Sequence, residues 1–131
     1  MTTIKAIRLA SLVTAINVLV ASGFSIAAIF RPQYLVAAAV PNEASLLLAL
    51  YAAAPRIPLA LLVLGDLQAG TPALLLLGSL AGAMQLLDAE IGLYENDLGK
   101  CAGPLSISVL QFFVVYLLHR SVQITPQTRH G

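Results

Sequence analysis

Charge is what this sequence has least of. Only 10% of its 131 residues are Asp, Glu, Lys or Arg, and seven basic against six acidic residues leave a net charge of +1. A soluble domain carries about 25% charged residues. So small and balanced a charge excludes the basic field of a nucleic-acid binder and the acidic tail of a solvating segment. Cysteine is nearly absent, and Cys101 alone cannot close a disulfide within the chain. Histidine occurs twice, as His119 and His130, both expected at the opposite membrane face from the carboxylate cluster, and no Glu-x-x-His pair appears. No metal site is therefore expected. A glycine-rich phosphate loop, a serine elbow and a cysteine pair are missing as well. With no heme or iron–sulfur ligand set, no cofactor is expected either.

What fills the chain instead is hydrocarbon. Hydrophobic residues make up 59% of it. Four segments are long enough to cross a bilayer, which takes roughly 20 mostly apolar residues. These are "LASLVTAINVLVASGFSIAAIF" from Leu9, a run from about Ala44 to Gly65 broken only by Arg56, a third from Leu67 to Leu87, and Cys101 to Leu118. The runs are continuous and rich in Leu and Ala, not alternating, so helices and not a barrel are expected. The sequence predicts one all-α domain, an integral membrane four-helix up-and-down bundle, with helices at about 9–30, 44–65, 71–94 and 102–119 and a polar tail over 120–131. Lys5 and Arg8 before the first run resemble the start of a signal peptide, but the run exceeds the usual apolar region of about 7–15 residues and reads as an anchor.

Lys5, Arg8, Arg120 and Arg129 would lie on one face of the membrane, Arg31 and Lys100 on the other. Basic residues favour the cytoplasm, which predicts cytoplasmic termini and external 31–43 and 94–103 loops. The apolar middle of "RPQYLVAAAVPNEA" fits either a lid lying flat on the outer surface or an ordinary loop. Gly78 and Gly82 form a GxxxG pair, and Gly23 and Ala27 share its spacing. Small residues at this spacing let membrane helices approach closely, supporting a compact bundle and allowing an oligomer through Gly78 and Gly82.

The polar residues inside the spans are few. Arg56 stands between Pro55 and Pro58 in "YAAAPRIPLALL". A charge at mid-bilayer costs about 2.5–3.5 kcal/mol on insertion scales and marks a functional site by default. Counted at about 1.5 Å per residue from the cytoplasmic ends, Asn17, Arg56 and Gln111 fall in one plane about 13 Å deep. Gln85 and Asp88 fall at roughly 21 and 25 Å, so a direct Arg56–Asp88 pair would barely close. At 100° per residue, Gly78, Gly82, Gln85, Asp88, Gly92 and Glu95 form one stripe, with Glu90 and Asp97 on another face. The expected result is an outward-opening cavity, acidic at its mouth, with Arg56 at its floor. Arg56, Asn17, Gln85, Asp88, Gln111 and Tyr51 are the ligand-binding candidates. The competing reading makes Arg56 a snorkelling or structural residue tied through Asn17 and Gln111.

The arginine of "APRIPLALL" and the end of helix 3, "AGAMQLLDAEIG", resemble the broad DoxX-like group of small bacterial membrane proteins. That resemblance implies a four-helix bundle in a bacterial inner membrane, in a group with some members linked to respiratory quinone chemistry. Two functions fit. One is a binding or accessory protein holding a lipid, quinone or isoprenoid, its partners being the bilayer and a hydrophobic small molecule. The other is a membrane enzyme, an isomerase, cyclase or hydrolase, with Asp88 and Arg56 as catalytic residues, Asp88 supplying the proton and Arg56 or Gln85 stabilising negative charge.

Overall fold

The computed structural model describes residues 2–34, 40, 42–65 and 70–124. Four helices account for nearly all of them: α1 (Thr3–Phe30), α2 (Glu43–Gly65), α3 (Thr71–Tyr94) and α4 (Leu98–Ile124), with a 3-10 turn at Pro32–Tyr34 after α1. All four are long and apolar enough to cross a membrane. The chain is an all-α four-helix bundle with both described ends on one face, here the terminal face; the Pro32–Tyr34 turn and the α3–α4 connection occupy the far face. Large apolar side chains such as Leu12, Leu61, Leu76 and Val109 point outward, while Thr14, Asn17, Gln85, Ser108 and Gln111 are buried. This inversion suits hydrocarbon outside, where polar side chains have no partner.

Local signals set the ends. Asn42 caps α2 reciprocally with Ser45: the Ser45 amide donates to Asn42 Oδ1 at 2.8 Å, and the Asn42 amide donates to Ser45 Oγ at 2.9 Å. The α3–α4 connection is three residues long. Asn96 takes the left-handed conformation at φ 56°, the Asn96 amide donates to the Leu93 carbonyl and the Asp97 amide to the Gly92 carbonyl. That pattern closes the carboxyl end of a helix. Asp97 then starts α4, its Oδ1 accepting from the Gly99 and Lys100 amides. A β-carbon on Gly92 would lie 2.5 Å from the Cys101 nitrogen, so only glycine permits this hairpin.

Two helices differ in their bounds from those read in the sequence. α1 starts at Thr3, not about residue 9, and α4 runs from Leu98 to Ile124, not 102 to 119. The Gly and Pro of "NDLGKCAGP" suggest a long break, yet Pro104 is accommodated inside α4. Thr3 Oγ1 donates to the Ser121 carbonyl at 3.3 Å, tying the added turns of α1 and α4 together. The possible lid falls on residues 35–39 and 41, outside the described residues.

α3 and α4 form the tightest pair, and α1 packs against all three other helices. Gly78 and Gly82 make the α3–α4 approach possible: an added β-carbon would stand 2.9 Å from Val115 Cγ2 at Gly78 and 3.2 Å from Gln111 Cγ at Gly82. The seam is thus filled within the chain. Gly23, by contrast, has open space around it. α2 leans on α1, touches α3 little, and has no close backbone approach to α4. Ala6, Ala10, Leu74, Val114 and Leu118 seal the terminal half of the bundle, and Val18, Leu59, Ala60, Val63 and Ala81 join α2 to it at mid-height.

Gly92→Ala is expected to destabilise the protein by about 1–3 kcal/mol or more through overpacking. Gly23→Ala should be neutral or stabilise by up to about 1 kcal/mol through backbone entropy. Unfolding midpoints in detergent check both.

Candidate functional site: a polar layer beneath an open cavity

The buried polar side chains of three helices form one chain of hydrogen bonds. Gln85 Nε2 on α3 donates to Asn17 Oδ1 on α1 at 2.7 Å, Asn17 Nδ2 donates to Gln111 Oε1 on α4 at 3.1 Å, and Gln111 Nε2 donates to Thr14 Oγ1 at 2.8 Å. Ser108 Oγ adds a bond to the Gly82 carbonyl at 2.9 Å, within reach because Gly82 has no side chain. Counted from the observed helix ends at Thr3, Thr71 and Ile124, Asn17, Gln85 and Gln111 all lie about 20–21 Å from the terminal face. The extra turns of α1 and α4 lift Asn17 and Gln111 to the level of Gln85.

Arg56 is not in that layer. Its Nη1 donates to Ser25 Oγ on α1 at 3.1 Å, and its Nη2 donates to Asp88 Oδ1 on α3 in an ion pair. The pair corrects the expectation that Arg56 lies level with Asn17 and Gln111, at a height from which a bond to Asp88 would barely close. That expectation assumes that all four helices begin at one level. Val63, two residues from the end of α2, shares a core with Val18 and Ala81, deep within α1 and α3. The α2 end at Gly65 therefore sits well inside the bundle, and Arg56 is carried up to Asp88. Ser25 completes the site by donating to the Ala21 carbonyl at 2.9 Å while accepting from Arg56.

Above this floor opens a cavity of about 590 Å³ with walls from all four helices. Arg56, Gln85 and Asp88 contribute its deep polar groups, and Gln33, Tyr34, Glu95, Asp97 and Lys100 line it nearer the far face. Apolar wall is supplied by Phe24, Leu48, Ile91 and Ile107 among others. A minor void of about 10 Å³ between Asn17, Arg56 and Gln85 connects the layer to the floor. Lys100 Nζ pairs with Glu95 Oε2 at 2.6 Å, so the mouth carries a cation besides its carboxylates.

Of the candidate residues, the structure brings Arg56, Gln85 and Asp88 together on the cavity. Asn17 and Gln111 are buried at 2% and 0% exposure and hold the layer below. Tyr51 is 70% exposed and does not line the cavity. Glu90 is exposed as expected, but Asp97 lies on the cavity wall. Ser25 and Thr14 go unnoticed in the sequence because serine and threonine in membrane helices often just bond back to their own helix, as Ser22 does to Val18. A helical projection carries the missing signal: eleven residues apart, Thr14 and Ser25 fall within about 20° of each other, on the side of α1 that bears Asn17. Among the described residues no three His, Cys, Asp or Glu side chains come together as metal ligands would.

No family model, curated protein or solved structure matches this chain.

Arg56 and Asp88 side chains are only 15% and 23% exposed, so removing either leaves its partner poorly solvated. Arg56→Met and Asp88→Asn should each destabilise the protein, and the double variant should be less destabilised than the sum by about 1–3 kcal/mol. Denaturant titration of the four proteins in detergent checks this; additive effects would mean the pair is not coupled.

Proposed function

We propose that this small membrane protein is a binding or accessory protein whose cavity holds a lipophilic small molecule of the lipid, quinone or isoprenoid kind. The observation that carries the reading is the roughly 590 Å³ cavity with apolar walls and a few convergent polar groups at its floor. Ligand sites are built this way, within a range of about 300–1,000 Å³. The reading includes cytoplasmic termini, from the distribution of basic residues, with the cavity then opening to the outside. A DoxX-like place in a bacterial inner membrane belongs to the same proposal.

The enzyme reading has one specific observation in its favour, that Asp88 reaches the cavity wall beside Gln85. Against it, Asp88 serves as the counter-ion of Arg56. Binding is therefore the better-supported function.

Native mass spectrometry of protein extracted in mild detergent tests the reading. A bound lipophilic mass of defined identity is expected, reduced several-fold in Arg56→Met protein whose helicity is unchanged. Protein that carries no adduct, and gains none from a total lipid extract, would remove the support.

A further inference from the structure

We infer that the cavity takes a single-chain amphiphile with an uncharged hydroxyl head, the hydroxyl seated on Asp88 and Gln85 and the chain leaving between α2 and α4; this rests on the binding reading above. Three observations lead there. Each charged side chain on the lining already has a partner within the chain. Arg56 is neutralised by Asp88, Lys100 by Glu95, and Asp97 faces the amides that open α4. An anionic head reaching Arg56 would have to displace or crowd a carboxylate, and a cationic head reaching Asp88 would meet the guanidinium.

The unused polar atoms are the second observation. Asp88 Oδ2 and Gln85 Oε1 have no hydrogen-bond partner among the described residues, and neither is shut away from the surface. Both residues line the cavity. Two unused acceptors on residues three apart along α3, both on the cavity, call for a ligand that donates. The guanidinium, with two of its N–H groups committed, can donate in return. A hydroxyl does both at once; an ether or ketone only accepts.

The third observation is the gap in the bundle. α2 and α4 do not pack, and between Leu48 and Ile107 the cavity lining from these two helices includes the small or ring-shaped residues Ala52, Gly103 and Pro104. A β-carbon on Gly103 would meet nothing within 4 Å. That slot is the passage from the polar floor to the surrounding hydrocarbon.

The test is competition against tritiated hexadecanol bound to the full chain in maltoside detergent at pH 8, using hexadecanol, hexadecyl phosphate, hexadecyltrimethylammonium and methyl hexadecyl ether. Their tails are matched. The alcohol is expected to compete at least tenfold better than each of the others, since a site built for a donor rejects a ligand without one. Asp88→Asn should narrow the alcohol-over-phosphate preference at least tenfold. Gly103→Phe, at an exposed position where an added β-carbon meets no neighbouring atom, should weaken alcohol binding at least tenfold while leaving the helicity and unfolding midpoint unchanged. Equal or better competition by the phosphate, the ammonium or the ether overturns the hydroxyl assignment and leaves the binding reading standing. Unchanged alcohol binding by Gly103→Phe overturns the exit route. Absence of saturable hexadecanol binding together with saturable binding of another lipophile overturns this inference alone, and absence of both overturns the binding reading with it.

Discussion

Hydrocarbon offers a guanidinium nothing to bond to, and Arg56 has to find its partners inside the chain. It finds one on each neighbouring helix: Ser25 on α1 and Asp88 on α3. This matters beyond the few kcal/mol that an isolated mid-membrane charge costs, because α2 has so little else to hold it to the rest of the bundle on that side. The backbone of α2 follows α1, stands away from α4 and barely meets α3. The ion pair spans the interval. It closes the bottom of the gap while leaving the top open, and the cavity is the space that results. An apolar residue at position 56 could seal the gap only if α2 moved against α3, which the α1–α2 packing opposes.

Beneath the ion pair the bundle obeys a different rule. Two glycines on α3 bring α4 close enough for Gln111 to enter the interior and for Ser108 to reach the Gly82 backbone. The amides of Gln85, Asn17 and Gln111 then satisfy one another in sequence and end on Thr14. Such a chain has a direction, since every link requires a particular donor and acceptor. It specifies the mutual height of α1, α3 and α4, which interchangeable Leu and Ala contacts do not. The terminal half is closed and height-locked by these bonds, and the far half is held by the Arg56–Asp88 pair and by the α3–α4 hairpin with its Lys100–Glu95 pair.

This division explains which features can be read from residues alone. Four spans are legible because apolar length is a one-dimensional property. The inward stripe of α3 is legible because Gly78, Gly82, Gln85, Asp88 and Gly92 recur at helical spacing, and glycine and carboxylate are both conspicuous in such a sequence. The Arg56–Asp88 partnership is not, since it depends on the relative height of α2 and α3, and no residue pattern encodes that height. Once the amide chain is known, the depths of Asn17, Gln85 and Gln111 agree to within about 2 Å. Tyr51 illustrates the opposite failure: proximity in sequence to Arg56 says nothing about facing, and five residues around a helix place it about 140° away. The α3–α4 hairpin was hidden because Gly99, Gly103 and Pro104 look like loop residues, while the turn itself is made by Asn96 and Asp97.

The prolines complete the account of why the gap lies where it does. A proline inside a helix releases the carbonyl four residues earlier, and in lipid that carbonyl has no substitute donor. Pro55 and Pro58 on α2 and Pro104 on α4 each remove one such helical bond. All three prolines are on α2 and α4, the two helices that fail to pack on each other; α1 has none inside, and Pro72 of α3 sits in the first turn, where no bond is lost. Tightly mated helices would have no room for the pyrrolidine rings or for a donor to the released oxygens. Prolines on facing helices and a space between them therefore favour each other, and the ion pair at the floor keeps that space from collapsing.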